Sequence, residues 1–135
     1  MIFFPWKEEY SVGIASIDQQ HKALVGIINE LYDGMVDTRG EVTLRQVFEE
    51  LIAYCSLHFE AEEELFELHG YAGAVAHRVE HEELTRRVLE YGRLLDAEGW
   101  VSPLAVAAFL KDWLSGHILH IDKGYSAFLV GKGVR

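Results

Sequence analysis

Apolar and special positions recur at alternating steps of three and four along most of this chain, the spacing of helices that each bury one stripe. The first stripe reads Ile17, His21, Leu24, Ile28, Leu31, Met35. It opens at Ser16, which has capping-box spacing to Gln19, and fades at Asp37-Thr38-Arg39-Gly40. The second runs from about Glu41 to about Leu68 as Leu44, Val47, Leu51, Tyr54, His58, Glu62, Leu65, with Gly70 placed to stop it. The third runs from about Gly73 to Ala97 as His77, His81, Leu84, Val88, Tyr91, Leu95, and Gly99 follows it. The fourth opens with Ser102-Pro103, a cap residue followed by proline at the first helical position, and continues as Val106, Leu110, Trp113, His117. Beyond Asp122 the tail predicts one more short helix or turn.

Four helices joined by short connections predict an all-α, antiparallel up-down-up-down four-helix bundle with a short C-terminal helix. The stretch between the only prolines, Pro5 and Pro103, leaves room for long helices. Before Ser16, Phe3, Phe4, Trp6 and Tyr10 form an aromatic segment expected to lie across the bundle as an ordered arm. A length of 135 residues predicts a single domain spanning 1–135.

The composition narrows the partners. A formal net charge of −10 repels phosphate backbones and acidic membrane surfaces, which argues against nucleic acid as a partner. No segment approaches the roughly 20 apolar residues of a membrane helix. The N-terminal sequence MIFFPWKEEY has no basic leader or extended apolar run, so a secretory signal is not expected there. Cys55 is the only cysteine, which excludes an internal disulfide and a cysteine-ligated iron–sulfur cluster within one chain. Together these features point to the cytoplasm.

Histidines stand in all four stripes, where a bundle core ordinarily takes Leu, Ile, Val, Ala or Phe. An imidazole buried without partners is costly, so five of them at one depth require a reason. His21 lies near the start of the first helix and His58 near the end of the second. His77 and His81 lie near the start of the third and His117 near the end of the fourth. In an antiparallel bundle all five converge at one end. His58 and Glu62 share a face, as do His77 and His81, being four apart and about 40° around the helix. His117 and Asp122 are five apart, roughly 140° on a regular helix, so the fourth helix is expected to loosen or end near His120. Imidazole suits iron, copper, zinc and nickel. One zinc takes four ligands in all, so a set of seven suits two metals that share bridges, with Glu62 and Asp122 placed to bridge.

The pattern His21, His58-x3-Glu62, His77-x3-His81, His117-x4-Asp122 resembles hemerythrin, in particular its single-domain bacterial form. The likeness covers nearly the whole chain. It includes the aromatic arm, Asp18-x-x-His21, His58-Phe59-x-x-Glu62 and Trp113-Leu114-x-x-His117-Ile118. It implies reversible O2 binding at a non-haem di-iron centre, for oxygen carriage, storage or delivery, by a protein that is not an enzyme. It implies that His77, His81 and His117 hold one iron, and that His21 and His58 hold the other, leaving it an open position. Glu62, Asp122 and an oxo/hydroxo group would bridge the two irons. Leu24, Phe59, Trp113, Leu114 and Ile118 occupy the positions that line the O2 pocket in that family. A dry pocket free of proton donors is what reversibility needs, and Leu114 is the expected gate.

Two alternatives keep the same bundle: an O2 or redox sensor, and a di-iron enzyme acting on nitric oxide or peroxide. Enzymes of the di-iron carboxylate class use about four carboxylates and two histidines, the reverse of the ratio here. No signalling domain or Pro/Gly/Ser linker is seen to accompany a sensor. An oxygen-consuming enzyme is a candidate recipient of O2. No second hydrophobic stripe suggests self-association, so a monomer is expected. Of the remaining polar residues, His69 reads as a solvated turn residue and His120 as exposed or a local hydrogen bonder. Glu63 and Glu64 read as a solvated face or as partners behind the ligand imidazoles, and Cys55 as a small buried hydrophobe. Tyr54 and Tyr91 read as seam residues with their hydroxyls near the surface or on a backbone carbonyl.

Overall fold

The computed structural model describes residues 2–36, 41–99 and 101–135, with side chains described throughout except at 34–36 and 41–44. The expected turn at 37–40 therefore lies outside the described residues, as do the side chains of the seam positions Met35 and Leu44. Within them the protein is helical: α1 (Ala15–Val36), α2 (Glu41–His69), α3 (Ala74–Glu98), α4 (Pro103–His117) and α5 (Lys123–Gly131), with a 3-10 turn at Glu8–Tyr10. α1 packs against α2 and α4, and α2 against α3, in the expected antiparallel four-helix bundle.

The termini follow local chemistry. At the start of α4 the Ser102 hydroxyl accepts from the Ala105 N–H at 3.2 Å and Pro103 takes the first turn. α3 ends at Gly99, whose φ of 73° lets its N–H reach Leu95 O at 2.8 Å. Gly70, with a φ of 69°, turns the chain out of α2. The start of α1 differs from the capping box expected at Ser16 and Gln19. The helix begins one residue earlier, so Ser16 sits exposed in its first turn. Asp18 makes the link instead: its carboxylate accepts from the Ser11 hydroxyl and from the Val12 N–H, tying the arm to α1.

The arm crosses the bundle as expected. Phe4 is buried, and Asn29 of α1 exchanges two hydrogen bonds with its backbone at 2.8 and 2.9 Å. Phe3 stacks on Tyr32, and Lys111 of α4 donates to Phe3 O at 2.9 Å. The arm thus spans α1 and α4. At the other end of the chain, Lys123 donates to Ser11 O and Ser126 to Val12 O, so α5 is fastened to the same arm.

The core runs the length of the bundle. Leu31, Val47, Leu51, Leu84, Val88, Leu95, Val106 and Leu110 are buried as their stripes required. Two seams shift locally. Phe66 is the fully buried residue near the end of α2, while Leu65 beside it is half-buried. Trp113 is also half-buried, with Leu114 taking the interior position on α4. One residue is 100° of rotation, so a helix turned modestly about its axis exchanges such neighbours.

Candidate metal centre

The seven expected ligands meet at one end of the bundle. His21, His58, Glu62, His77, His81, His117 and Asp122 are all buried, and Glu62 and Asp122 have no exposed surface. Each comes from the position the helical spacing assigned, with one local adjustment. Between α4 and α5 the chain makes a π turn over Ile118–Asp122, in which the Lys123 N–H reaches Ile118 O five residues back. A turn closed by five-residue bonds puts residues five apart on nearly one face. That is how His117 and Asp122 both point inward, their Nε2 and Oδ1 atoms 3.0 Å apart.

The donors form two groups that share one carboxylate. Ligand atoms of Glu62, His77, His81 and His117 lie within 4.8 Å of one another, as do those of His21, His58 and Glu62. Glu62 Oε1 is 3.1 Å from His58 Nε2, 3.2 Å from His81 Nε2 and 3.8 Å from His77 Nε2. Asp122 divides its oxygens between the groups. Oδ1 is 3.0 Å from Nε2 of both His77 and His117, while Oδ2 is 3.1 Å from His21 Nε2. Both carboxylates therefore stand between the two sets of imidazoles.

Hydrogen bonding alone does not satisfy this cluster. Both nitrogens of His21, both oxygens of Asp122, Glu62 Oε1, His81 Nε2 and His117 Nδ1 are buried without a hydrogen-bond partner. His77 and His117 face each other Nε2 to Nε2 at 3.2 Å, where at most one can carry a proton. An unsatisfied buried polar group costs about 1–3 kcal/mol, and inward-facing lone pairs are what a cation would take up. Burial pushes the Glu62 and Asp122 carboxyls up, but the surrounding histidines outweigh it and hold both below the ordinary range. Burial lowers His58, against the opposing pull of Glu62, which favours the neutral imidazole a metal needs. The residues fit the binding of metal cations.

Behind the ligands stand groups that orient them. Gln20 Oε1 lies 2.7 Å from His58 Nδ1, and Glu63, held by Arg78 at 3.1 Å, lies 3.4 Å from His81 Nδ1. Of the two readings left open for Glu63 and Glu64, Glu63 takes the backing role and Glu64 is exposed. His120 is exposed and His69 half-buried. Cys55 is buried and its thiol is pushed up to about 12 by burial, so it behaves as an inert small hydrophobe. Gln20, Phe66 and Tyr125 were not singled out by the sequence. Gln20 adjoins a ligand and Tyr125 follows Asp122 by three, but neither position marks a partner on another helix.

Of the residues expected to form an apolar wall, Leu24, Phe59, Leu114 and Ile118 are buried. Phe59 stacks on His81 with ring centres 3.8 Å apart, and Trp113 stacks on His117 at 4.4 Å. A groove of about 540 Å³ between α2 and α3 is lined by both Phe59 and His81.

Fold and site define a class: a four-helix bundle with a buried histidine- and carboxylate-rich metal-binding cluster at one end. The family model described as the hemerythrin HHE cation binding domain matches residues 12–129, and the chain belongs to the hemerythrin family. A bacteriohemerythrin of Pseudomonas aeruginosa is 37% identical over 125 residues, which cover 93% of this chain and 80% of that protein. A bacteriohemerythrin of Methylococcus capsulatus is 29% identical over 121 residues, covering 90% and 92% of the two chains. A crystal structure of wild-type hemerythrin matches with a TM-score of 0.88 at 27% identity, covering 94% of this chain and 98% of that one. Among the described residues no helix is long and apolar enough to cross a membrane.

Proposed function

We propose that this protein binds O2 reversibly at two iron ions held by His21, His58, Glu62, His77, His81, His117 and Asp122. The observation that carries the reading is the sharing of carboxylates: Glu62 belongs to both donor groups, and Asp122 offers one oxygen to each. The imbalance between the groups, three histidines against two, leaves the His21–His58 side the smaller donor set and the place for a small ligand. Iron held by these residues would supply the electron-transfer chemistry that reversible O2 binding needs.

The chain's own residues keep that exchange reversible. Leu24, Phe59, Leu114 and Ile118 bring no proton donor to the site and exclude water from it. Trp113 covers His117 by stacking and keeps its indole at the edge. Leu114 gates access, so Leu114→Ala is expected to speed autoxidation; an unchanged rate would remove it as the gate. We read residues 1–135 as one monomeric unit acting in the cytoplasm, storing O2 or delivering it to an oxygen-consuming enzyme.

The test is optical. The iron-loaded protein is reduced without air, and its visible spectrum is recorded before O2, after O2 and after purging. A charge-transfer band that appears with O2 and vanishes on purging supports the carrier. A band that never forms, or that collapses at once to an oxidised spectrum, sinks it in favour of a redox enzyme or a sensor.

A further inference from the structure

Tyr125 carries no role in the centre described so far, yet its environment is unusual. The residue is completely buried on α5, with its ring against Phe66 at 5.1 Å and His77 at 5.5 Å. Its hydroxyl donates to Glu62 Oε2 on α2. Glu62 is thereby divided: Oε1 faces the imidazoles of His58, His77 and His81, and Oε2 is held by the phenol. The placement is also mechanical. Tyr125 follows Asp122 by three residues at the exit of the π turn, and Lys123 and Ser126 on either side of it pin α5 to the arm.

We propose that Tyr125 is a positioning residue for the metal centre, bracing the Glu62 carboxylate from the element that carries Asp122 and so setting the separation of the two bridging carboxylates. A free glutamate rotates about three side-chain bonds. One oxygen tethered from a rigid helix leaves the other aimed at the histidines, and the donated proton draws electron density from the carboxylate. The inference rests on the metal-binding reading and adds to it a residue that touches no metal.

The experiment titrates Co(II) alone into metal-free protein under anaerobic conditions, followed by visible absorbance. Wild type is compared with Tyr125→Phe, which keeps the ring, and with Tyr71→Phe, which removes a neighbouring phenol not bonded to Glu62. Tyr125→Phe is expected to weaken Co(II) binding by about 10–100-fold, the range for loss of a group that orients a ligand. It should also shift the glutamate carboxylate stretch in the infrared difference spectrum. Tyr71→Phe should do neither. Unchanged affinity and an unshifted band in Tyr125→Phe, even with a lowered thermal midpoint, would show a packing role alone and overturn the proposal. Should Tyr125→Phe fail to fold, a ring-fluorinated tyrosine at position 125 keeps the shape with a stronger donor. It should move the carboxylate band opposite to the loss of the bond, and an unmoved band overturns the proposal. Absence of Co(II) binding by wild type would instead sink the metal reading, and this inference with it.

Discussion

The two ends of the bundle are built on opposite terms. The far end closes on Leu31, Leu51, Val88, Leu95, Val106 and Leu110, all buried and all apolar. Burying such side chains stabilises by about 1.5–3 kcal/mol each and asks for no partner beyond good packing. The near end buries five histidines and two carboxylates, many of whose polar atoms have no hydrogen bond. It gains nothing comparable from leaving water and depends on what fills it. It is also fastened from outside, by the arm through Asp18 and by α5 through Lys123 and Ser126. One end makes the fold, and the other spends part of that stability on a site.

Removing metal should expose the difference most strongly. A ligand present at 1,000 times its dissociation constant adds about 4 kcal/mol of stability. Chelation is expected to lose an amount of that order, with faster amide hydrogen exchange confined to the start of α1 around His21 and to segments 58–81 and 117–129. A uniform loss of protection along the helices would abolish the distinction between the ends.

Leu51→Ala tests the other end. It should cost about 3 kcal/mol by leaving a cavity, with the metal stoichiometry intact. Loss of metal from a folded Leu51→Ala protein, measured by elemental analysis, would show that the far end also sets the site.

Acid should separate the ends in the metal-free protein. His58 is lowered, so below about 6.5 the unfolded chain takes up a proton that the folded chain resists, and stability falls with pH. Glu62 and Asp122 are also lowered, so their contribution is present above their ordinary values of 4.5 and 3.8 and is lost as pH falls through the folded ones. Both act in one direction, and urea midpoints measured on acidification should decline. A midpoint that rises would mean the histidines charge and pair with the carboxylates.

The smallest effect belongs to a local feature of the far end. Ser102→Ala removes the cap of α4 and should lower stability by about 1 kcal/mol without altering metal content. A larger loss, or any loss of metal, would tie that cap to the site.

Much of both ends was legible along the chain, because helical spacing and helix polarity together convert sequence position into depth. His21 and His77 near helix starts, and His58 and His117 near helix ends, had to meet in an antiparallel bundle. The five-residue step from His117 to Asp122 demanded a departure from the regular helix, which takes the form of the π turn. Ser102-Pro103 and Gly99 marked real helix ends because caps are satisfied within one turn of chain. Ser16 with Gln19 misled for the same reason in reverse: the spacing is common, and here the nearby Ser11 and Val12 of the arm engaged Asp18 instead.

Only the tertiary structure decided which side chains meet across helices. Phe66 rather than Leu65 reaches the interior, Gln20 finds His58, Glu63 stands behind His81, and Tyr125 finds Glu62 sixty-three residues away. Periodicity fixes a residue's angle on its own helix but not the rotation of that helix against its neighbours. A single residue turns the stripe by 100°, and a hydrogen bond needs its atoms placed to within a few tenths of an ångström. The ligands were visible because chemistry marks them by type and spacing; the groups that hold the ligands in place carry no such mark until the helices are packed.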